Sequence, residues 1–404
     1  MHRRDVVQAR DGGRPRRIDN SPVTRYSIPK REMAKIHALC GSGWPAAVFI
    51  PALLEALHAV IPSSRNLFDW TDNDGRLLHY FIEGPVDTAV AQRYFEHFHN
   101  RKDAICMPAF ASLRDAPAGV RPAGDLDRPD FFASELYNEI WRPQGLHTRI
   151  EGVVRSSTGC LIGSLVLYRG PRDPKFTARD EQVLEGLLPA VARALQCGTD
   201  SRSDMTASAL HLPCLEPAET LLLDLAGRLW HVSPGAPRLL MLADGGISRE
   251  ALERPLVDRV DRLFGRLIDQ LRERATGLAS ASQAWPSLSI FNGYGRFDAQ
   301  SMLLWSPDTE PSGQVPLMQI TLRRLEPREV SVQRVLRSMP VTVGQASVCA
   351  ALFAGQPQDE IARALGVATS TVVDHVRKLY CALDVSSLSE LRALLDRRLS
   401  CTTH

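Results

Sequence analysis

Gln356-Pro357-Gln358-Asp359-Glu360-Ile361-Ala362-Arg363-Ala364-Leu365-Gly366-Val367-Ala368-Thr369-Ser370-Thr371-Val372-Val373-Asp374-His375-Val376-Arg377-Lys378-Leu379-Tyr380-Cys381-Ala382-Leu383 is the most informative stretch of the chain. It reads as two short helices joined by a tight turn. Ile361 and Leu365 are expected to face inward from the first, and small Ala362 lets a second helix cross closely. Gly366 stands where the first helix must stop, since glycine takes positive φ there without strain. Val372, Val376 and Leu379 recur at four and three residues, the inward face of a second helix. Two helices crossing steeply on a glycine turn form the arrangement that seats a helix in the major groove of duplex DNA. The pattern implies a DNA partner and takes catalysis out of the first rank.

The 404 residues suffice for roughly two to four domains. Apolar content of 44% and charged content of 23% permit ordinary cores, and the net charge of +2 gives no whole-molecule basic field. Residues 1–35 hold 10 Lys+Arg against 4 Asp+Glu, whereas residues 337–404 hold 7 against 6. The ends, not the middle, would attract DNA. Eight cysteines are scattered without a Cys-x-x-Cys pair. No metal or other cofactor is expected, and reduced thiols point to a cytoplasmic protein. No apolar run reaches the ~18 residues of a membrane helix, so no membrane partner is expected.

Residues 1–36 are basic and rich in Gly and Pro, and read as a disordered tail; Met33 is an alternative start. A first α+β domain is expected over 37–197. It holds a helix over 46–60, a hairpin of 66–70 and 76–82 around Asp72-Asn73-Asp74-Gly75, and a helical pattern over 86–100. An irregular stretch covers 108–129. A second hairpin pairs 148–155 with 160–168, and Thr177 with Asp180 marks a capping box opening a helix that Pro189 should kink. Residues 198–209 read as a linker. A second, smaller α+β domain is expected over 210–325, with antiparallel strands at 219–224, 229–232, 287–292, 295–305 and 315–324. A connecting helix follows at 326–339, and an all-α four-helix module fills 340–400.

The last segment resembles the LuxR/GerE-type DNA-binding domain of bacterial transcription regulators. The resemblance rests on Val341-Thr342, Ala354-Gly355, Glu360-Ile361-Ala362, Leu365-Gly366-Val367, Thr371-Val372, His375-Val376, Leu379-Tyr380, Leu383 and Val385-Ser386-Ser387. It covers about 65 residues. The two upstream domains resemble GAF-like and PAS-like sensory folds, through their alternating strands and hairpin glycines. Four positions depart from the LuxR pattern. Ala368 replaces a common Ser at the N-cap, Asp359 and Val373 stand where Lys is frequent, and Gln345 stands for Glu. A missing cap costs about 1 kcal/mol, and fewer cations flatten the salt dependence of DNA binding.

The resemblance places Val373, Asp374 and Arg377 at the base-reading positions. Arg377 suits guanine O6/N7, Asp374 the N4 amine of cytosine and Val373 a thymine methyl. Asp374 equally suits an ion pair with Lys378 or Arg377 on the helix surface. Arg363, Thr369, Ser370, Thr371 and Lys378 are candidates for backbone contacts, which set register. His375 is expected to make a structural hydrogen bond. Leu388, Leu391, Leu394 and Leu395 make an apolar face on a last helix. In the family that helix pairs two copies, so Leu388, Leu391 and Leu395 are candidate homodimer contacts; packing within the chain is the other use for them. In the first domain Trp70, Tyr80, Tyr94, Tyr137 and Trp141 either ring a pocket for an unknown small ligand or fill the core. His147 and Arg149 are polar candidates beside them.

These readings imply a one-component, non-enzymatic regulator in which a sensory half biases a dimeric DNA reader. The alternative is a DNA-incompetent relative that pairs with another regulator and titrates it.

Overall fold

The computed structural model describes residues 30–197, 210–277, 284–305 and 315–401; the expected linker and residues 1–29 of the expected tail lie outside them. Eleven strands run in chain order among these residues. The first five are β1 (Arg65–Thr71), β2 (Leu77–Ile82), β3 (Gly119–Arg121), β4 (Thr148–Arg155) and β5 (Leu161–Arg169). The other six are β6 (His211–Pro213), β7 (Glu219–Leu223), β8 (Leu229–Val232), β9 (Ser287–Asn292), β10 (Gly295–Leu304) and β11 (Leu317–Pro327). Helices α1 (Lys30–Cys40), α2 (Ala46–Leu57), α3 (Thr88–Arg93), α4 (Asp103–Cys106), α5 (Pro129–Ala133) and α6 (Ala178–Cys197) accompany the first sheet. Helices α7 (Ala236–Ala243), α8 (Arg249–Glu253) and α9 (Leu256–Ala275) accompany the second. The chain ends in α10 (Arg328–Ser338), α11 (Val343–Phe353), α12 (Gln358–Leu365), α13 (Thr369–Leu383) and α14 (Leu388–Cys401). Two antiparallel sheets with helices thus precede a wholly helical C-terminal part.

The first sheet has the order β2-β1-β5-β4-β3. Its first hairpin closes as the turn residues dictate: Gly75 takes φ 75°, and the Asp72 carboxylate accepts from the Asp74 and Arg76 amides at 3.0 and 2.8 Å. Period-two alternation sends Phe68 and Trp70 to one face, under α2 and α6, and Leu67 and Asp69 to the other. Strands β1 and β5 approach so closely at Gly163 that a Cβ there would stand 1.9 Å from the Asp69 carbonyl oxygen. The capping box at the start of α6 forms, with Thr177 N donating to Asp180 at 2.8 Å, and the helix runs through Pro189 as one element.

The second sheet has the order β8-β7-β11-β10-β9, with β6 on the other end of β11. Phe264, Leu267, Ile268 and Leu271 of α9 bury against Phe297, Ala299, Met318 and Ile320 of the sheet. One continuous apolar core joins the two sheets, from Ile36 to Val330. Tyr80 N donates to Ile247 O at 2.8 Å, Arg238 Nε donates to Ile82 O at 2.8 Å, and Phe81 stacks on Tyr294 at 6.2 Å.

Strand β11 runs straight into α10, which ties the helical part to both sheets through ions. Arg334 donates to Glu55 of α2 at 2.7 Å and, through its second Nη, to Glu326 of β11 at 2.8 Å. Arg337 reaches Glu55 at 3.1 Å, and Ser331 caps Glu326 at 2.6 Å. From α1, Arg31 donates to the carbonyls of Met339 and Val341, the latter at 2.8 Å, and Lys35 donates to the Arg337 carbonyl.

Several expectations are corrected. The disordered tail does not extend to residue 36, because α1 begins at Lys30 and buries Lys35, Ile36, Leu39 and Cys40. The irregular 108–129 stretch contains β3, a short edge strand on β4. The helix expected over 86–100 breaks into α3 and a π-helical run over Tyr94–Lys102, where Asn100 takes φ 56°. Short β6 and α8 carried too little pattern to be read.

Replacing Gly163 with Ala should force β1 away from β5 and cost about 1–3 kcal/mol or more, read by chemical denaturation. Replacing Arg334 with Met leaves the buried Glu326 without its cation and should cost about 3 kcal/mol. An unchanged midpoint for Arg334→Met would remove the network from the account of stability.

Candidate nucleic-acid interface and small-molecule cavity

Helices α11 to α14 enclose a separate core of Val348, Leu352, Ile361, Val372, Leu379, Leu391 and their neighbours. Thr342 and Gln345 form a complete capping box at α11, so Gln replaces Glu here without loss of the motif. Gly366 ends α12 at φ 65°, in the left-handed region expected of it. Ala368 at the N-cap of α13 offers no side-chain bond. Leu365 corrects the inward reading: it is 42% exposed, while Ile361 is fully buried. The first helix of the pair therefore holds on by Ile361 and Ala362.

The outward face of α13 is open. Ser370, Val373 and Arg377 are exposed, and the Arg377 guanidinium forms no hydrogen bond or ion pair among the described residues, with Asp374 further off. Thr369 and Thr371 are exposed at the start of the same helix. Asp374 closes on Lys378 at 2.6 Å, and that hydrogen bond holds its carboxyl below the usual range. Arg363 lies 3.6 Å from Asp359. Thus two of the five backbone candidates begin already paired, and the acid at the groove face has a partner of its own. His375 packs its ring over Gly344, 3.2 Å from where a Cβ would stand, and makes no hydrogen bond to the described residues. Leu391 and Leu395 are fully buried in the chain's own core, and Leu388 packs against it. Packing within the chain thus accounts for their burial, and the exposed side of α14 carries Arg392, Asp396 and Arg397.

The second candidate site is a cavity of about 150 Å³ on the face of the first sheet turned away from α2 and α6. The connection over residues 86–147 roofs it. Tyr80, Tyr94 and Trp141 line it, but Trp70 and Tyr137 do not. Trp70 stacks on His79 at 4.4 Å on the opposite face of the sheet. Tyr137 instead bonds His147 through its hydroxyl at 2.8 Å. Arg149 does reach the cavity, with Asp69, Glu151 and Tyr168, which the aromatic pattern did not bring out. The signal for Asp69 was a lone acid inside the apolar run Leu67-Phe68-Asp69-Trp70. Burial, helped by the Glu151 carboxylate, pushes the Asp69 carboxyl up to about 8.

No protein-family model matches this chain, and no curated protein matches it. Among solved structures, the E. coli DhaR(N)–DhaL complex has 15% identity over 72% of this chain and 87% of that one, with a TM-score of 0.24. VqmA bound to DPO has 16% identity over 45% and 83%, with a TM-score of 0.17. A Vibrio cholerae VqmA dimer without target DNA, described as a LuxR-type receptor, has 15% identity over 45% and 84%, with a TM-score of 0.17. Scores this low give no basis for carrying a property across. Among the described residues no helix is long and apolar enough to cross a membrane.

Two outcomes check these sites. Asp374→Asn frees Lys378, so the slope of log affinity against log salt on duplex DNA should steepen by about 0.9 for one added phosphate contact; loss of selectivity at one base pair instead would assign Asp374 to base reading. For Asp69 the raised folded value means that the native state holds a proton the unfolded chain has released. Its contribution to stability therefore falls as pH rises from about 4 to about 8. In urea titrations at pH 5 and pH 8.5, Asp69→Asn should lose less stability between the two than the parent.

Proposed function

We propose that this chain is a DNA-binding transcription regulator of the LuxR/GerE type. Residues 340–400 form its helix-turn-helix domain, and residues 326–339 connect it to a sensory half made of a GAF-like domain over 37–197 and a PAS-like domain over 210–325. The observation that carries the reading is the division of α13. Val372, Val376 and Leu379 are locked in the core, while Arg377 and Val373 face outward and are exposed among the described residues. A helix so held offers about four residues to base edges.

In this reading Arg377 and Val373 read bases, and Asp374 does so when Lys378 turns to phosphate. Arg363, Thr369, Ser370, Thr371 and Lys378 fix the register on the sugar-phosphate backbone. The protein acts in the cytoplasm as a homodimer on a roughly palindromic site, and runs no reaction of its own. A small molecule in the cavity shifts the population of arrangements around α10, and the ions at Glu55 and Glu326 transmit the shift. The near balance of charge over residues 337–404, Asp359 and Val373 at positions where Lys is frequent, and the pairing of Arg363 and Lys378 favour the rival, a chain that titrates another regulator without touching DNA.

Gel shifts at low salt against a pool of random duplexes decide between them: selection of one sequence by the purified chain excludes the rival. On that sequence Arg377→Ala should weaken binding by ~1–3 kcal/mol and relax preference at one base pair. Equal affinity and equal preference would remove Arg377 from base reading.

A further inference from the structure

The open face of the first sheet gathers buried polar groups whose hydrogen-bonding capacity the chain leaves largely unused. Register sets Asp69 beside Tyr80, and Arg149 beside Tyr168, and all four line the cavity. The hydroxyls of Tyr80 and Tyr168 find no partner among the described residues. Arg149 is buried and meets one ion, Glu151, at 3.0 Å, which leaves most of its five N–H donors without an acceptor. Asp69 forms no ion pair among the described residues; its carboxyl accepts a hydrogen bond from the Ser164 hydroxyl at 3.3 Å, with Glu151 and Arg149 further off. With its carboxyl pushed up to about 8, Asp69 keeps its proton at neutral pH and is itself a donor.

The inventory is one-sided. Glu151, the acceptor on this wall, is held from both sides, by Arg149 and by Arg121 at 3.2 Å. The lining as a whole carries three guanidiniums, Arg65, Arg121 and Arg149, against the two carboxyl groups of Asp69 and Glu151, an excess of positive charge. Buried donors and charge without partners cost free energy that a complementary occupant recovers. An amine would bring a second cation to Arg149, and an amide would bring a donor where donors are already in excess. A carboxylate supplies two acceptors and the missing charge, in the planar form that a guanidinium grips best.

The remainder of the small cavity is mainly apolar, with Arg65, His99 and Gln144 at its polar points. Leu67, Ile82, Phe95 and Trp141 wall it. A volume of about 150 Å³ is that of an engineered cavity known to admit benzene. We propose that the cavity binds a small monocarboxylate carrying a single apolar ring, its carboxylate on Arg149 and Tyr168 and its ring against Phe95 and Trp141. This ligand class rests on the regulator reading for its purpose, and on the cavity alone for its chemistry.

Calorimetric titration of the full chain with phenylacetate, phenylacetamide and phenethylamine tests it with three probes of one ring size. Phenylacetate should bind at least tenfold tighter than the amide, and the amine should give no binding heat. Arg149→Gln should weaken phenylacetate at least tenfold while leaving the amide unchanged. Tyr168→Phe keeps the ring that packs edge-on to Trp141, and should weaken phenylacetate severalfold. An amide or amine that binds as tightly as the acid, an absence of binding by all three, or equal phenylacetate affinity in both variants overturns the proposal. Gel shifts run in parallel separate the two readings: a chain that binds DNA and ignores all three probes refutes only the ligand, and one that binds phenylacetate and no DNA refutes only the regulator.

Discussion

Four charged side chains hold the two ends of this molecule in register. Arg334 lies between Glu55 on the helical layer of the first sheet and Glu326 at the end of the second, and Arg337 shares Glu55. Each carboxylate is at least partly withdrawn from water, so losing one partner strands a charge rather than merely loosening a contact. Because α10 is the element that carries the arginines, the position of every helix beyond it follows from this cluster. An exposed pair of the same length would be worth ~1 kcal/mol or less and could not set an orientation.

The first sheet is asymmetric for an equally simple reason. Its helical face takes Phe68, Trp70 and their neighbours into a dry core continuous with that of the second sheet. Its other face is roofed by a connection that includes π-helical turns, short 3-10 turns and a left-handed Asn100. Irregular backbone of this kind packs less completely than helices, and leaves a space lined by the polar residues of alternate positions. The two faces of the sheet thus differ in kind: one is filled by the chain's own helices, and the other keeps a cavity beneath its roof.

The helical C-terminal part was readable because its rules are local. Glycine at 366, apolar spacing at Val372, Val376 and Leu379, and the Thr342–Gln345 box all act within a few residues of themselves. Leu365 misled because it sits at the end of its helix, where the apolar stripe runs out into solvent. Both sheets were legible as hairpins, yet their joining into one core was not, since Phe81 and Tyr294 are partners across more than two hundred residues. Helix α1 was hidden by its basic composition: Arg31 and Lys35 look solvent-bound until the carbonyls they serve, far along the chain, are in place. The aromatic reading of the cavity found Tyr80, Tyr94 and Trp141, but alternation along β1 decides against Trp70. Asp69 was marked by a lone acid in an apolar strand, whose meaning depends on the strands beside it.

The bond from Arg31 to the Val341 carbonyl spans 310 positions in the chain. A ribosome adding about 5–20 residues each second needs roughly 15–60 s to travel that far. For that whole interval α1 stands outside the exit tunnel with Arg31 lacking those carbonyls and Lys35 paired only with Glu32 of its own helix. The contacts that anchor α1 to the C-terminal part therefore form only after most of the chain has been made, late in its synthesis.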